Sequence, residues 1–479
     1  MPDIRYVCLS DTHFGADNSL LTYLGRGRRS ADPMRTSPVL EQLVRCLRAL
    51  VATNEGRKKP TLVLNGDILE LALTTDERAA MAFERFLDLA FPAGGDDLFD
   101  KRVHYLPGNH DHHLWETARE GQYLDYIGDV AKCPPDKPIN PPWHATNLFV
   151  KEDDPDPCPA SFLNTLARRR GRSDVSFATA YPNFGLVSGD QERAVIFTHG
   201  HFAESKYTLV SNLMTVLFPE RVQPTHVWEV EEENFAWIDF FWSALGRSGP
   251  AGGNVELIYD KLQSQSALAA LLENVAYGLA QNHRLPVLGE TMTAWSLNLL
   301  LRPMVRWLAS AEVQQTDVQL SETSKATLKR YLQGPLRAQV LSERPRVPSE
   351  VTVVFGHTHK PFEQVESYDG FAEKVKLYNS GGWVVDSEDS AKHPGWAVIL
   401  IDESLNTASL RLAKRDSVGT DTFAIGQAAE AGAPPNPLHD RLLGLVDATR
   451  APWSDFLTVL QSSATDHLEN LKAKISNPA

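Results

Sequence analysis

The sequence predicts an α/β fold, and three observations lead to that prediction. The 479 residues are 42% hydrophobic and 23% charged, which is typical of a globular protein and unlike a disordered or collagen-like chain. Five short apolar runs have the length and β-branched composition of buried strands. Each run stops abruptly at a cluster of Gly, Asp, Asn or His residues, and helical periodicity dominates the longer segments after the fourth run.

The length of the chain limits the number of domains, and its charge limits the classes of binding partner. A chain of this length has room for about three domain-sized units. The 47 basic and 61 acidic residues give a net charge of −14, whereas a general binder of nucleic acid or of anionic membranes needs a basic face. An anionic substrate is not excluded, because a bound cation reverses the sign of the charge locally.

The cysteines and the apolar segments favour a cytoplasmic protein. None of the four cysteines belongs to a C-x-x-C pair, which argues against a zinc ribbon or a redox motif. Four cysteines in so long a chain do not make a disulfide framework. The first residues lack the pattern of a secretory signal, and no run reaches ~18 uninterrupted apolar residues. We therefore expect no transmembrane segment.

The five predicted strands lead directly into polar clusters. The strands cover residues 6–9, 61–64, 103–106, 194–197 and 351–355. The clusters are Ser10–Gly15, Asn65–Glu70, Pro107–Asp111, Thr198–His201 and Gly356–His359. Because ligands of open α/β sheets bind beyond the carboxyl ends of the strands, the five clusters can converge on one site.

Seven side chains in these clusters have the chemistry of metal ligands. They are Asp11, His13, Asp67, Asn109, His199, His357 and His359. Carboxylate, imidazole and amide oxygen without thiolate suit manganese, iron, zinc or nickel. Seven ligands are too many for one zinc ion and divide naturally between two ions that share a carboxylate. Two such ions ~3.5–4 Å apart form the usual clamp for in-line displacement at phosphorus.

Any one cluster alone has a simpler interpretation as a tight turn or a hydrogen-bonded histidine. The five clusters together, in this order along the chain, resemble the motifs of the calcineurin-like metallophosphoesterase superfamily. The matching motifs are D-x-H at Asp11, G-D-x-x-E at Gly66, G-N-H-D at Gly108, H-G at His199 and G-H-x-H at Gly356. The resemblance covers roughly residues 1–115, 183–205 and 351–413. It implies two packed mixed β-sheets flanked by helices, a four-layer αββα sandwich.

The resemblance also implies how the ligands are shared. It divides them between two ions bridged by Asp67, with Asp11, His13 and His359 on one and Asn109, His199 and His357 on the other. Manganese is the favoured ion, with iron, zinc or nickel as alternatives.

Two further residues receive catalytic roles from the resemblance. His110 corresponds to the histidine beside the phosphoryl group, which stabilises charge or protonates the leaving oxygen. Glu70 stands where many members have an aspartate that orients this histidine, and it is one methylene longer. Leu71 follows where protein Ser/Thr phosphatases have an arginine, which argues against that branch.

The expected function is metal-dependent hydrolysis of a phosphate ester by in-line attack of a metal-bridging hydroxide. The substrate would be a small-molecule phosphodiester, phosphomonoester or pyrophosphate. One alternative is a nuclease of the same superfamily, which the acidic charge disfavours. The other is a non-catalytic metal-binding scaffold, which should have lost ligands that are all present here. The oligomeric state stays open.

The motif order predicts one metallophosphoesterase domain over residues 1–413. A Pro-rich insertion at 116–182 and a helical insertion at 206–350 interrupt it, and 414–479 form a linker and a C-terminal helical extension. Within the second insertion we expect helices near 208–218, 228–246, 254–281, 290–312 and 322–333, the last ended by Gly334 and Pro335.

Several residues near the motifs have two interpretations each. Five of the ten tryptophans lie in the helical insertion, as a core packed on the scaffold or as an apolar lid over the site. His201 would contact phosphate or pack nearby, and His112 and His113 would face the substrate or pack. Asn379–Trp383 would be a loop over the site that offers amides to an anion, or a plain turn.

Overall fold

The computed structural model describes residues 2–56, 58–136, 144–150, 158–243, 319–387, 395–415 and 421–476. Within these ranges the chain forms twelve strands, which make two sheets, and ten α-helices. The predicted helices at 254–281 and 290–312 lie outside the described residues, as do Trp295 and Trp307.

The first sheet has seven strands. They are β1 (Ile4–Leu9), β2 (Thr61–Asn65), β3 (Arg102–Leu106), β4 (Ser176–Thr179), β10 (Trp396–Asp402), β11 (Thr407–Arg415) and β12 (Asp421–Gly426). Their order is β12-β11-β10-β1-β2-β3-β4. Strands β1 to β4 are parallel, whereas β10, β11 and β12 pair antiparallel. The sheet thus includes a strand beyond residue 413, although the domain boundaries themselves stay a prediction.

The second sheet has five strands. They are β5 (Asn183–Val187), β6 (Arg193–Thr198), β7 (Glu350–Phe355), β8 (Phe362–Glu366) and β9 (Val375–Asn379). Their order is β5-β6-β7-β9-β8, and β6, β7 and β9 run parallel. All five strands predicted from the sequence are confirmed: β1, β2 and β3 in the first sheet, and β6 and β7 in the second.

The two sheets pack face to face. Cys8 and Val63 of the first sheet share a buried core with Phe197 and Val354 of the second. Val7 lies in a different core on the outer face of the first sheet, because successive residues of a strand point to opposite faces.

Helices cover both outer faces. The outer face of the first sheet packs against α1 (Pro38–Val51), α2 (Asp76–Ala90), α4 (Ser161–Arg169), α9 (Pro437–Leu445) and α10 (Trp453–Ser476). Ser37 caps α1 by accepting a hydrogen bond from Val39, and Pro38 supplies a preformed first helical residue. The predicted four-layer αββα sandwich is therefore confirmed. Helix α3 (His112–Val130) begins directly after the third motif.

The helical insertion covers the second sheet. Its helices are α5 (Leu209–Leu217), α6 (Val227–Ile238), α7 (Glu322–Tyr331) and α8 (Arg337–Glu343). Val230, Leu328 and Val340 pack against strand residues such as Val353. A π-helical turn, Asp239–Ser243, continues α6. Trp237 and Trp242 pack against this core, whereas Trp228 is 45% exposed. Whether the tryptophans of the insertion also form a lid over the site stays a prediction.

The prediction that Gly334 and Pro335 end the seventh helix is wrong. A π-helical segment, Leu332–Leu336, joins α7 to α8 without a break. Its wider turn accommodates proline, which has no N–H to donate and clashes in a regular α-helix. The buried Leu332, Pro335 and Leu336 side chains hold the segment in place. Among the helices of the described ranges, none is both long enough and apolar enough to cross a membrane.

Candidate metal centre

The backbone is strained at the predicted metal ligands. Asp11, His13, Asp67, His357 and His359 have φ angles between 45° and 66°. Non-glycine residues rarely adopt this left-handed conformation, and such residues cluster at functional sites because the surrounding structure must stabilise them. These residues mark the turns at which the chain leaves β1, β2 and β7.

Two glycines of the motifs make room for the carboxylates. A Cβ atom at Gly356 would lie 1.9 Å from Oδ2 of Asp11, and one at Gly108 would lie 2.2 Å from Oδ1 of Asp67. Both contacts are far shorter than real Cβ contacts, so no other residue fits without moving a carboxylate. Glycine at these two positions therefore allows the carboxylates of Asp11 and Asp67 to lie directly against the backbone.

The first group of ligands contains Asp11, His13 and His359. One ligand atom from each lies within 4.8 Å of the others, and all three side chains are buried. Nε2 of His359 is 3.5 Å from Oδ1 of Asp11 and 3.3 Å from Nε2 of His13. The arrangement matches the set that the resemblance implies for one ion.

The second group contains Asp67, His199 and His357, again within 4.8 Å. Nε2 of His199 is 3.2 Å from Oδ2 of Asp67, 3.2 Å from Nδ1 of His357 and 3.1 Å from Oδ1 of Asn109. The same Asp67 oxygen is 3.9 Å from Nε2 of His13. Asp67 therefore lies between the two groups, and all seven predicted ligands meet in one buried cluster.

The hydrogen-bond partners of the four imidazoles fit bound cations. Each ring has one nitrogen against an oxygen outside the cluster: His13 against Glu70 at 2.8 Å, His357 against Glu204 at 2.7 Å, His359 against Asp386 at 2.8 Å, and His199 against the Asn65 carbonyl at 3.4 Å. When these nitrogens donate, the inward nitrogens carry lone pairs. Lone pairs 3.3 Å apart repel each other, and a cation between them removes the repulsion. The donor set thus fits divalent metals, with outer acceptors that orient the rings.

The surroundings of Asp11 and Asp67 favour the ionised form of both carboxylates. Burial raises the pKa of Asp67, but His199 and His110 hold it well below its ordinary value. Burial likewise lowers the pKa of His359, but the hydrogen bonds to Asp11 and Asp386 raise it to about 10. His359 therefore holds a proton between two carboxylates, and a bound metal ion would supply the positive charge in place of that proton.

Glu70 and His110 are in direct contact. Oε1 of Glu70 lies 2.9 Å from Nδ1 of His110 and also accepts the backbone N–H groups of Ala72 and Leu73. Burial opposes ionisation of both groups, but their attraction lowers the pKa of Glu70 to about 2 and raises that of His110 to about 9. The backbone N–H of His110 donates to Oδ1 of Asp67 at 2.7 Å, which fixes the loop against the cluster.

Asp111 ties two motif loops together. Its buried carboxylate accepts backbone N–H groups from Gly108 at 2.6 Å and Ile68 at 2.8 Å, and from Asp67 and Leu69 at 3.2 Å. The last residue of the G-N-H-D motif is thus a structural link between the second and third motifs.

The Asn379–Trp383 loop packs beside the ligands. A Cβ atom at Gly382 would lie 2.5 Å from Cδ2 of His359. Trp383 donates its backbone N–H to the Asp11 carbonyl at 2.9 Å, and Asn379 donates its side-chain amide to the Gly356 carbonyl at 2.9 Å. The loop is therefore hydrogen-bonded to the first and fifth motifs and stabilises their positions.

The other nearby histidines contact residues of the two predicted insertions. His112 is fully buried, with Nε2 2.8 Å from Glu231, and Nε2 of His201 lies 3.2 Å from the Tyr181 hydroxyl. Sequence reasoning missed Glu231, as it missed Glu204 and Asp386. Each lies outside the motifs, and Glu231 begins a run of three glutamates, so no local spacing could have identified the residue that contacts a histidine.

Comparison with solved structures found matches of low similarity. A dimetal phosphatase from Danio rerio is 11% identical, with a TM-score of 0.29, over 90% of this chain and 100% of that chain. A phosphopantetheinyl hydrolase from Mycobacterium tuberculosis is 14% identical, with a TM-score of 0.25, over 80% of this chain and 90% of that chain. Neither likeness supports a conclusion about this chain. Comparison with curated proteins found no significant match.

A family comparison is informative. The model of the calcineurin-like phosphoesterases matches residues 4–241, a range that contains four of the five motifs. The fifth motif follows β7, which pairs in parallel with β6. The chain belongs to the calcineurin-like phosphoesterase family.

Proposed function

We propose that this chain is a hydrolase of phosphate esters that works with two divalent ions, manganese in preference to iron, zinc or nickel. The observation that carries the proposal is the cluster of four imidazoles whose inward nitrogens face one another beside two ionised carboxylates. Bound ions would supply an activated water and neutralise the phosphoryl oxygens as charge builds.

The ligands fall into two sets joined by Asp67. Asp11, His13 and His359 would hold one ion, and Asn109, His199 and His357 the other. Glu204 and Asp386 orient His357 and His359 from outside the cluster. Such outer partners commonly change metal affinity or activity by about 10–100-fold.

His110 is the proposed general acid. Because its Nδ1 is bound to Glu70, its Nε2 is the atom that would give a proton to the leaving oxygen. Its ring meets that of His13 edge to face, with centroids 4.8 Å apart, which places it beside the ligand cluster. Proton transfer of this kind contributes about 10²–10⁴-fold to rate.

The proposed substrate is a small phosphodiester, phosphomonoester or pyrophosphate, met in the cytoplasm. The net charge of −14 disfavours a polyanionic nucleic acid, whose phosphate backbone needs a basic track. The four cysteines are free thiols, in keeping with a reducing compartment.

Metal content and hydrolysis test the proposal together. Protein stripped with a chelator is reloaded with manganese, its bound metal is counted, and hydrolysis of p-nitrophenyl phosphate and bis(p-nitrophenyl) phosphate is followed. We expect two ions per chain and metal-dependent turnover of at least one ester. Asp67→Ala should abolish turnover, whereas Asp125→Ala, on the exposed side of α3, should leave it unchanged. Full turnover by Asp67→Ala would refute the proposal.

A further inference from the structure

Polar side chains of the helical insertion contact the backbone around His110. Ser243, in the π-helical turn after α6, accepts the backbone N–H of His113 at 2.9 Å and donates to the His110 carbonyl at 3.2 Å. Asp239 lies 3.2 Å from Nδ1 of His113. The insertion is therefore bonded to the segment that carries the proposed general acid.

Glu231 is the central residue of this contact. It lies on α6, is fully buried, and places Oε1 2.8 Å from Nε2 of His112. Its other oxygen accepts the Tyr181 hydroxyl at 2.9 Å, and that hydroxyl is 3.2 Å from Nε2 of His201. One carboxylate thus connects the segment after His110 with the segment after His199.

The burial of the Glu231 carboxylate has a free-energy cost that stability alone does not explain. Burying a carboxylate is costly unless it is paired, and well-packed apolar residues often stabilise a core as well as a buried ion pair does. A hydrogen-bonded network differs from an apolar contact because its directional bonds favour a single arrangement of its members. The Tyr181 ring stacks on Trp115 with centroids 4.9 Å apart, which further restricts the network.

We propose that Glu231 is a positioning residue for catalysis, which acts through His112 and Tyr181 to fix the orientation of His110. Its described hydrogen bonds go to His112 and Tyr181 and not to a proposed metal ligand. This role rests on the proposed function, since it presupposes that His110 acts on the leaving group. Ser243 supports the same segment through the backbone.

The dependence of rate on the leaving group tests this role. Loss of general-acid help slows an ester with a poor leaving group more than one with a good leaving group. Wild-type protein, Glu231→Leu and Glu231→Gln, each loaded with manganese, are compared on phenyl phosphate and p-nitrophenyl phosphate. Misplacement of a reacting group can cost up to about 10²-fold in rate. We expect Glu231→Leu to lower kcat for the phenyl ester by that order, with a smaller loss for the p-nitrophenyl ester and unchanged metal content.

Controls separate positioning from a general structural effect. Glu231→Gln keeps the shape of the side chain and one acceptor oxygen for the Tyr181 hydroxyl, so it should lose less activity than Glu231→Leu. Glu232→Leu changes the exposed neighbour on the same helix and should have no effect. Equal losses on both esters, or lost metal in Glu231→Leu, would mean a structural role and overturn the inference. If Glu231→Leu does not fold, Tyr181→Phe decides, because it removes the hydroxyl that donates to Glu231. An unchanged leaving-group dependence in that variant overturns the inference.

Failure of the inference and failure of the proposed function are distinguishable. If His110→Asn shows the selective loss on the phenyl ester but the Glu231 and Tyr181 variants do not, the function stands and the positioning role is wrong. If His110→Asn has no selective loss, the assignment of His110 as general acid is wrong, and the positioning role falls with it.

Discussion

Nδ1 of His110 lies 2.9 Å from Oε1 of Glu70, while Oε2 of the same carboxylate lies 2.8 Å from Nδ1 of His13. A single buried side chain therefore orients both a proposed general acid and a proposed metal ligand. Glutamate at this position connects the two halves of the proposed chemistry, proton transfer and metal binding.

Replacement of Glu70 should therefore affect both properties. In Glu70→Gln the side-chain amide cannot accept from both rings, so we expect kcat to fall by about 10–100-fold with weaker binding of one ion. Metal counting and steady-state kinetics on p-nitrophenyl phosphate measure the two effects. Glu469→Gln, exposed on α10, is the matched control. Unchanged kcat and metal content in Glu70→Gln would contradict this role.

Gly356→Ala should remove metal binding by steric means. The new Cβ would lie 1.9 Å from Oδ2 of Asp11, so the carboxylate must leave its position. We expect loss of at least one ion per chain and turnover near background. Gly128→Ala is the control, since a Cβ there meets nothing within 4 Å and alanine favours the helix. A Gly356→Ala protein that retains two ions would show that Asp11 is not a ligand.

Asp386→Ala tests an outer partner of the cluster. His359 would lose the acceptor that lies 2.8 Å from its Nδ1, and its ring would be less well oriented toward the ion. A manganese titration should give an affinity about 10–100-fold weaker than that of the wild type. Asp369→Ala, an exposed acid in the loop before β9, should titrate like the wild type. Identical titrations for all three proteins would exclude a role for Asp386.

Arg441→Met tests how the C-terminal helices are attached. The Arg441 guanidinium donates to the Pro2 carbonyl, and to the carbonyl and hydroxyl of Thr53 at 2.6 and 2.7 Å. Loss of these buried, charge-assisted bonds should lower the free energy of unfolding by about 2 kcal/mol. Urea unfolding measures the loss, and Arg450→Met, whose side chain is 82% exposed, is the control. Equal midpoints for the two variants would mean that Arg441 does not anchor the extension.

The strands and motifs that could be predicted from the sequence are those formed by contiguous residues. The strand runs and the polar clusters after them are contiguous, so β1, β2, β3, β6 and β7 could be located without knowledge of their neighbours. The ligand types within each cluster followed from the same short motifs. That these strands belong to two sheets came only from the family resemblance, because no single strand carries that information.

The parts that escaped prediction depend on distant contacts. Glu204, Glu231 and Asp386 acquire their roles only when folding places them against His357, His112 and His359. The π-helical segment that contains Pro335 likewise depends on a distant contact, because its leucines are buried in the core beside the second sheet. In isolation, Gly-Pro is a helix terminator.

The ligands come from both sheets of the sandwich. Asp11, His13, Asp67 and Asn109 follow strands of the first sheet, whereas His199, His357 and His359 follow strands of the second. A pair of bound ions would consequently cross-link the two halves of the protein at one end, much as a disulfide joins distant segments. Metal affinity and resistance to unfolding would then be one linked quantity, since ligand binding to the folded state stabilises it by mass action.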